Sequence, residues 1–349
     1  MFLRKVWVCC LMKRKKVLVA LGGIVIVLGV TWFLCQKKEG ASTITPEYVF
    51  TYAENQVENY PTTQGAYKFA ELVYAKTNGR IKIKVHPGGE LGDEVSVIKQ
   101  IQYGGIDFAR VSIMTLSETV PMFNVLQLPY LYDSSDDMWR ILDGDIGQEF
   151  MDSLEDYKME ALSWYDAGAR HIYTTDKKIT RLEDMAGLRI RIAESQLMDA
   201  LLKGLGAVPV PMAYSEVYSA LETGKIDGAE NNLPSYESMK HYKVANYITL
   251  DGHNRIPELQ VASLSTWNKL SEQDQDIIKS CAKESAEYER MLWKNQEKTS
   301  KRIVESSGCT ITELSEDEIK RFREAVMPIY KEICGPYTDL IDKILTSKE

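Results

Sequence analysis

Residues 187–232 read GLRIRIAESQLMDALLKGLGAVPVPMAYSEVYSALETGKIDGAENN. Leu188, Ile190 and Ile192 alternate with Arg189 and Arg191, the period of a strand that turns both arginines to one face. Ser195–Gly204 then reads as a helix, Val208–Val210 as a strand, Tyr214–Thr223 as a helix stopped by Gly224, and Ile226–Ala229 as a strand. Glu230, Asn231 and Asn232 follow that strand directly, where α/β folds place their ligands. An arginine facing a cleft is a carboxylate clamp, because its planar fork donates two parallel hydrogen bonds. A solvated strand face is the simpler account of Arg189 and Arg191. Ile81-Lys82-Ile83-Lys84-Val85 alternates in the same way and reads as a strand with one wet face.

The same grammar precedes this stretch. Tyr48–Tyr52 reads as a strand ending at Asn55, and Ala66–Lys76 as a helix closed by Asn78-Gly79. After Ile81–His86, Asp93 caps a helix that runs to Tyr103 and stops at Gly104-Gly105, and Ile106–Ser112 is the next strand. Strand, helix, strand at this spacing is a parallel βαβ unit. Two such units separated by a long middle segment predict two α/β lobes with a cleft between them. Ser271-x-x-Asp274 opens a helix with no Gly or Pro before Gly308, roughly 50 Å if unbroken, long enough to run along both lobes. Ser315-x-x-Glu318 opens a last helix that ends near Gly335-Pro336.

Composition narrows the function. With 349 residues, 44% of them hydrophobic, the chain can bury a large core, and a net charge of −8 argues against nucleic acid as a partner. Four histidines, no paired C-x-x-C and no glycine-rich phosphate loop leave metal and nucleotide cofactors without a motif. Of the six cysteines, Cys281, Cys309 and Cys334 lie in the body; one bridge among them stays open. No G-x-S-x-G elbow is present, and none of the 50 acidic residues sits in a convincing glycosidase pair, which weighs against an exported hydrolase.

Lys13-Arg14-Lys15-Lys16 precedes an uncharged run from Val17 to Cys35, a basic flank before an apolar segment. Residues 1–40 therefore read as a signal or membrane anchor plus linker, with the remainder exported. Cleavage, retention of 17–35 as an anchor and lipidation at Cys35 all stay open. Met12 is a natural start for such a signal. The body reads as a monomer, since it has no long apolar surface stripe.

The body from Tyr48 to Tyr330 resembles the substrate-binding protein of a tripartite ATP-independent periplasmic (TRAP) transporter, DctP type. Phe69-Ala70-Glu71-Leu72-Val73, Gly89-Glu90-Leu91-Gly92-Asp93-Glu94, Leu128-Pro129-Tyr130, Gly187-Leu188-Arg189-Ile190-Arg191, Pro211-Met212-Ala213-Tyr214-Ser215-Glu216-Val217-Tyr218 and Asp227-Gly228-Ala229-Glu230-Asn231 carry the resemblance, in the family's order. It implies two lobes, 45–168 with 257–296 and 169–256 with 297–349, joined by crossing strands and one long helix. By the same resemblance Arg191 is the carboxylate clamp and Arg170 a second cleft arginine. Asn231 is a polar contact, Tyr214 an aromatic that packs on the ligand, and Asn55 and Glu94 are first-lobe contacts. Each residue has a plainer role open to it: Arg170 pairing a surface carboxylate, Tyr214 packing in the core, Asn231 serving a turn, Glu94 charging a helix N-terminus. Sialic acid binders of the family carry Glu where Ser112 stands, which argues against that ligand. Arg110 reads as a solvated strand residue or, with Arg191, as the holder of a second acidic group.

The implied function is a solute-binding protein, without cofactor or metal, that captures a small organic acid and hands it to membrane transporter subunits. A sugar acid such as a uronate is favoured, with C4-dicarboxylates or keto acids as the alternatives. A ligand-sensing subunit of a receptor is a third reading of the same fold.

Overall fold

The computed structural model describes residues 45–347. The predicted signal or anchor segment, with Cys9, Cys10 and Cys35, lies outside the described residues. Among the described residues, no helix is long and apolar enough to cross a membrane.

Among the described residues, eleven strands form two sheets. The first, in the order β2-β1-β3-β10-β4, contains Tyr48–Ala53 (β1), Ile81–His86 (β2), Phe108–Ser112 (β3), Met159–Tyr165 (β4) and Glu258–Ser263 (β10). β1 runs parallel to β2 and β3, as the βαβ reading requires, and β10 is antiparallel to β3 and β4. The second, in the order β11-β9-β5-β8-β6-β7, contains Ala169–Thr174 (β5), Arg189–Ile192 (β6), Val208–Pro211 (β7), Gly228–Asn231 (β8), Tyr247–Arg255 (β9) and Thr310–Glu313 (β11). Here β6 is parallel to β7 and β8.

The chain crosses between the sheets at two adjacent places. β4 leads through 166–168 into β5, and β9 returns through Ile256-Pro257 into β10. The strands on either side pair with each other, Tyr165 with Glu258 and Ala169 with Arg255. The two-lobed α/β architecture with crossing strands is therefore present.

The long helix is Glu272–Ser306, 35 residues or about 52 Å at the usual rise. Ser271 caps it by accepting from Asp274 N–H. It packs on the Pro61–Lys76 helix and β4 of the first sheet and on the Leu233–Ser238 helix beyond the second. Lys76–Glu284 at 2.8 Å marks the first contact, and Ser300 Oγ to Glu237 Oε2 at 3.4 Å the second.

Several boundaries differ from the sequence reading. The first helix starts at Pro61, not Ala66, because proline at the first helical position loses nothing by lacking an N–H. Tyr214–Glu216 is a single 3₁₀ turn before the Val217–Glu222 helix. The last helix is three, Glu316–Val326, Pro328–Cys334 and Thr338–Thr346, since Pro328 interrupts the first. These helices touch the molecule on two sides. Phe322, Val326 and Ile329 share a core with Leu201 and Leu205, while Tyr330 donates to the Pro129 carbonyl at 2.8 Å and Lys343 meets Glu149 at 2.6 Å. Cys281, Cys309 and Cys334 are all free thiols.

Candidate functional site

Two clusters of buried polar groups face the crossing between the sheets. The first gathers beyond the ends of β1 and β3. Arg110 is buried, which overturns its reading as a solvated strand residue. Its Nε donates to both Glu54 oxygens at 3.0 and 3.2 Å, its Nη1 donates to Glu94 at 3.1 Å, and its Nη2 donates to Glu54 and to Asn55 Oδ1. Glu258, the first residue of β10, brings Oε2 to 3.1 Å from the same Nη1. Three carboxylates thus surround one guanidinium, whose charge is more than matched. That also sets aside Arg110 as the holder of a second acidic group.

Glu94 does more than charge a helix end. Asp93 caps that helix, while Glu94 accepts from Ser112 N–H at 2.7 Å and Thr115 Oγ at 3.2 Å. Ser112 caps the short Ile113–Leu116 helix. Burial raises the Glu94 carboxyl despite Arg110, and burial pushes Glu258 up to about 7, with Glu94 and Glu54 adding to it against Arg110.

The second cluster lies at the carboxyl ends of β6 and β8. Arg189 and Arg191 share a strand face, yet their fates differ. Arg189 is exposed and bidentate with Asp227, at 3.0 and 2.6 Å. Arg191 is buried, so the solvated-face reading fails for it. Its Nε and Nη2 both donate to the Met212 carbonyl, at 3.0 and 2.6 Å, and it sits 5.9 Å over the Tyr214 ring. Of the three buried arginines among the described residues, Arg191 is the one without a carboxylate partner. Burial lowers its pKa, which Glu230 opposes. A buried cation left half-bonded is an expensive arrangement unless something else completes it.

Arg170 has such a completion. Its Nε and Nη2 grip Glu230 at 2.5 and 2.8 Å, and Nη2 also donates to the Glu230 carbonyl at 3.2 Å. The partner is a fully buried carboxylate, not a surface one. His253 stands on its other side, 3.5 Å from Glu230 and 2.8 Å from Asp251. Burial alone would raise Glu230, but Arg170 and His253 hold it near 2. Burial alone would lower His253, but Asp251 and Glu230 lift it to about 9.

Asn231 is the last residue of β8, with Oδ1 held by Asn232 N–H at 2.8 Å, so it ends a strand rather than making a turn. Tyr214 is half-buried, and its hydroxyl is buried without a hydrogen-bond partner, close to Ser235 and Gln56. Tyr60 links the clusters: its hydroxyl meets Asn232 Oδ1 at 3.2 Å and Ser235 Oγ at 2.8 Å.

The structure thus brings Asn55 and Glu94 together around Arg110, and Arg170, Arg191, Tyr214 and Asn231 together at the second sheet. Sequence reasoning missed Glu54, Gln56, Tyr60, His253 and Glu258. For His253 and Glu258 the one available signal was the grouping of five polar residues from His253 to Gln260. A groove of about 710 Å³ lies elsewhere, between β4 and the long helix, and neither Arg170 nor Arg191 lines it. Among the described residues no cluster of His, Cys, Asp and Glu could hold a metal ion.

Comparison with known proteins fits this geometry. A family model described as DctP, bacterial extracellular solute-binding protein, family 7, matches residues 52–335. A solute-binding protein of Chromohalobacter salexigens is 39% identical over 282 residues, covering 81% of this chain and 83% of its own. The crystal structure of a TRAP periplasmic solute-binding protein from the same species, with bound D-glucuronate, superposes with a TM-score of 0.82 at 37% identity, over 85% of this chain and 98% of that one. One from a Sulfitobacter species, with bound β-D-galacturonate, does so at 0.82 and 35% identity, over 85% and 98%. This chain belongs to the DctP family of bacterial extracellular solute-binding proteins, the binding component of TRAP transporters.

Proposed function

We propose that the protein captures a sugar acid, a hexuronate such as D-glucuronate or D-galacturonate, and delivers it to the membrane subunits of a TRAP transporter. The observation that carries this reading is Arg191, a buried guanidinium without a carboxylate partner. A ligand carboxylate would complete it with charge-assisted bonds in a site that excludes water. Arg170, already neutralised by Glu230, positions that end of the cleft and offers its free Nη1. Tyr214 gives the sugar a ring to pack on, and Asn231, Asn55 and Glu94 give its hydroxyls polar partners. The uronates bound by structural neighbours at 37% and 35% identity support the choice of ligand.

Capture proceeds by closure of two bodies, 45–168 with 257–296 and 169–256 with 297–349, about the crossings at 166–168 and 256–257. The last three helices reach both bodies and would limit the swing. The basic flank and apolar run of residues 13–35 direct export of the body to the outer side of the membrane.

Titration calorimetry on the purified protein tests the reading. D-glucuronate or D-galacturonate binds and is recovered unchanged. Arg191→Ala weakens binding by about 100-fold or more, the scale of a lost buried charge-assisted pair. Undiminished affinity in that variant removes the clamp. Turnover of the sugar would point to an enzyme instead.

A further inference from the structure

We propose that the Arg110 end of the cleft is a wall that reads hydroxyl donors and rejects a second carboxylate, with Glu258 and Gln56 as the residues that discriminate. The cargo is then a polyhydroxylated monocarboxylate. This deepens the sugar-acid reading and rests on it.

Charge is the first argument. Arg110 is the cation at the centre of this end, and Glu54, Glu94 and Glu258 all lie within 3.2 Å of it. Its Nε and Nη2 donate to Glu54 and Asn55 and its Nη1 to Glu94, so its charge is already matched inside the protein. An acid placed here meets surplus negative charge and no free cation, and juxtaposed like charges are a strong means of exclusion.

Unmet hydrogen bonding is the second argument. Glu258 Oε2 is buried and lacks a hydrogen bond, since its approach to Arg110 is off the line of the N–H. Gln56 Oε1 is likewise buried, and the donor nearest it is the Tyr214 hydroxyl. Both residues are more than nine-tenths buried. Unmet acceptors call for an O–H, which a sugar supplies and a carboxylate cannot. A site built for a hydroxyl penalises the analogue that lacks one.

Placement is the third argument. Glu258 acts electrostatically on Arg170 and Tyr60, and Gln56 lies beside the Tyr214 hydroxyl. Both acceptors therefore adjoin groups close to the Arg191 clamp, since Tyr214 lies 5.9 Å from the Arg191 guanidinium.

D-glucuronate and D-glucarate test this directly. They share one carbon chain, but glucuronate closes to a pyranose at C1 where glucarate carries a second carboxylate and stays open, so the charge effect is read from the change in preference in Glu258→Gln. At pH 8, above the value near 7 to which burial pushes Glu258, calorimetry on the wild-type protein is expected to favour glucuronate by about 100-fold or more. Glu258→Gln keeps the size and an acceptor but removes the charge, and the preference is expected to shrink by at least about tenfold. Equal wild-type affinity for the two, with Arg191→Ala abolishing both, overturns the wall and leaves the clamp standing. An unchanged preference in a Glu258→Gln protein that melts like the wild type removes Glu258 from the role. Failure of every uronate to bind defeats the sugar-acid reading and this inference together.

Discussion

Arg170 and Arg191 are both buried at one end of the second sheet, and they contrast in what completes them. Arg170 is matched by Glu230 inside the protein, so Arg170→Ala leaves a fully buried carboxylate with only His253, at 3.5 Å, beside it. Denaturant unfolding is expected to show a loss of about 3 kcal/mol or more. Arg191 is unmatched, so replacing it with an apolar residue of similar length removes an uncompensated cation. Arg191→Met is expected to melt no lower than wild type when no ligand is bound, while binding is lost. Glu258 makes a pH prediction. Its carboxyl is raised from 4.5 to about 7 in the fold, so the protonated form is favoured there. Its stabilising contribution is therefore complete below pH 4.5 and drains away as pH rises through 7. Melting temperature is expected to fall more steeply between pH 5 and 7.5 in the wild type than in Glu258→Gln. Strand periodicity put Arg189 and Arg191 on one face, and only the family resemblance chose Arg191 between them. That it is buried while Arg189 is not depends on the Met212 and Tyr214 segment lying over it, and strand periodicity carries no such information.

The elements were the most legible level. Asp93, Ser271 and Ser315 each cap the helix they precede, as the sequence predicts, and Ser195, read as the first helical residue, is also a cap. Elements were misread where a breaker carried two meanings. Pro61 starts a helix, Pro328 stops one, and Gly65 sits inside one because a Cβ there would come to 3.0 Å from both Tyr165 and Glu289. Gly168, at the first crossing, has φ +60, and a Cβ would lie 2.8 Å from Trp293 Nε1 on the long helix. Gly168→Ala must strain both the backbone and that contact. A loss of about 2 kcal/mol in denaturant unfolding is expected, and an unchanged midpoint would show that the crossing yields freely.

At the scale of the molecule, the two clusters meet through few bonds, and Tyr60 makes two of them. Tyr60 precedes the first helix, Asn232 and Ser235 follow β8, and the Tyr60 ring packs edge-on against Trp293 at 5.7 Å. Interactions made only when the bodies are together favour the ligand-bound state by population shift. Tyr60→Phe is expected to weaken uronate binding several-fold, about 1 kcal/mol, although the residue is assigned no ligand contact. Small-angle scattering is expected to show the radius of gyration falling on addition of uronate in the wild type, and less so at matched ligand concentration in Tyr60→Phe.

What the sequence by itself determined was the local grammar: two α/β units, their helix caps, the long uninterrupted helix and the stretch that bears Arg191. Those follow from periodicity and capping, which act over a few residues. Only the tertiary structure decided which polar groups are buried and with whom. Arg110 with Glu54, Glu94 and Glu258, and Arg170 with Glu230 and His253, join residues 16 to 148 positions apart. Such pairings arise because each sheet crossing brings distant strand ends side by side in a region water barely reaches. There a charge must find a partner, and Arg191, which has no carboxylate of its own, is for that reason the residue proposed to take the ligand's.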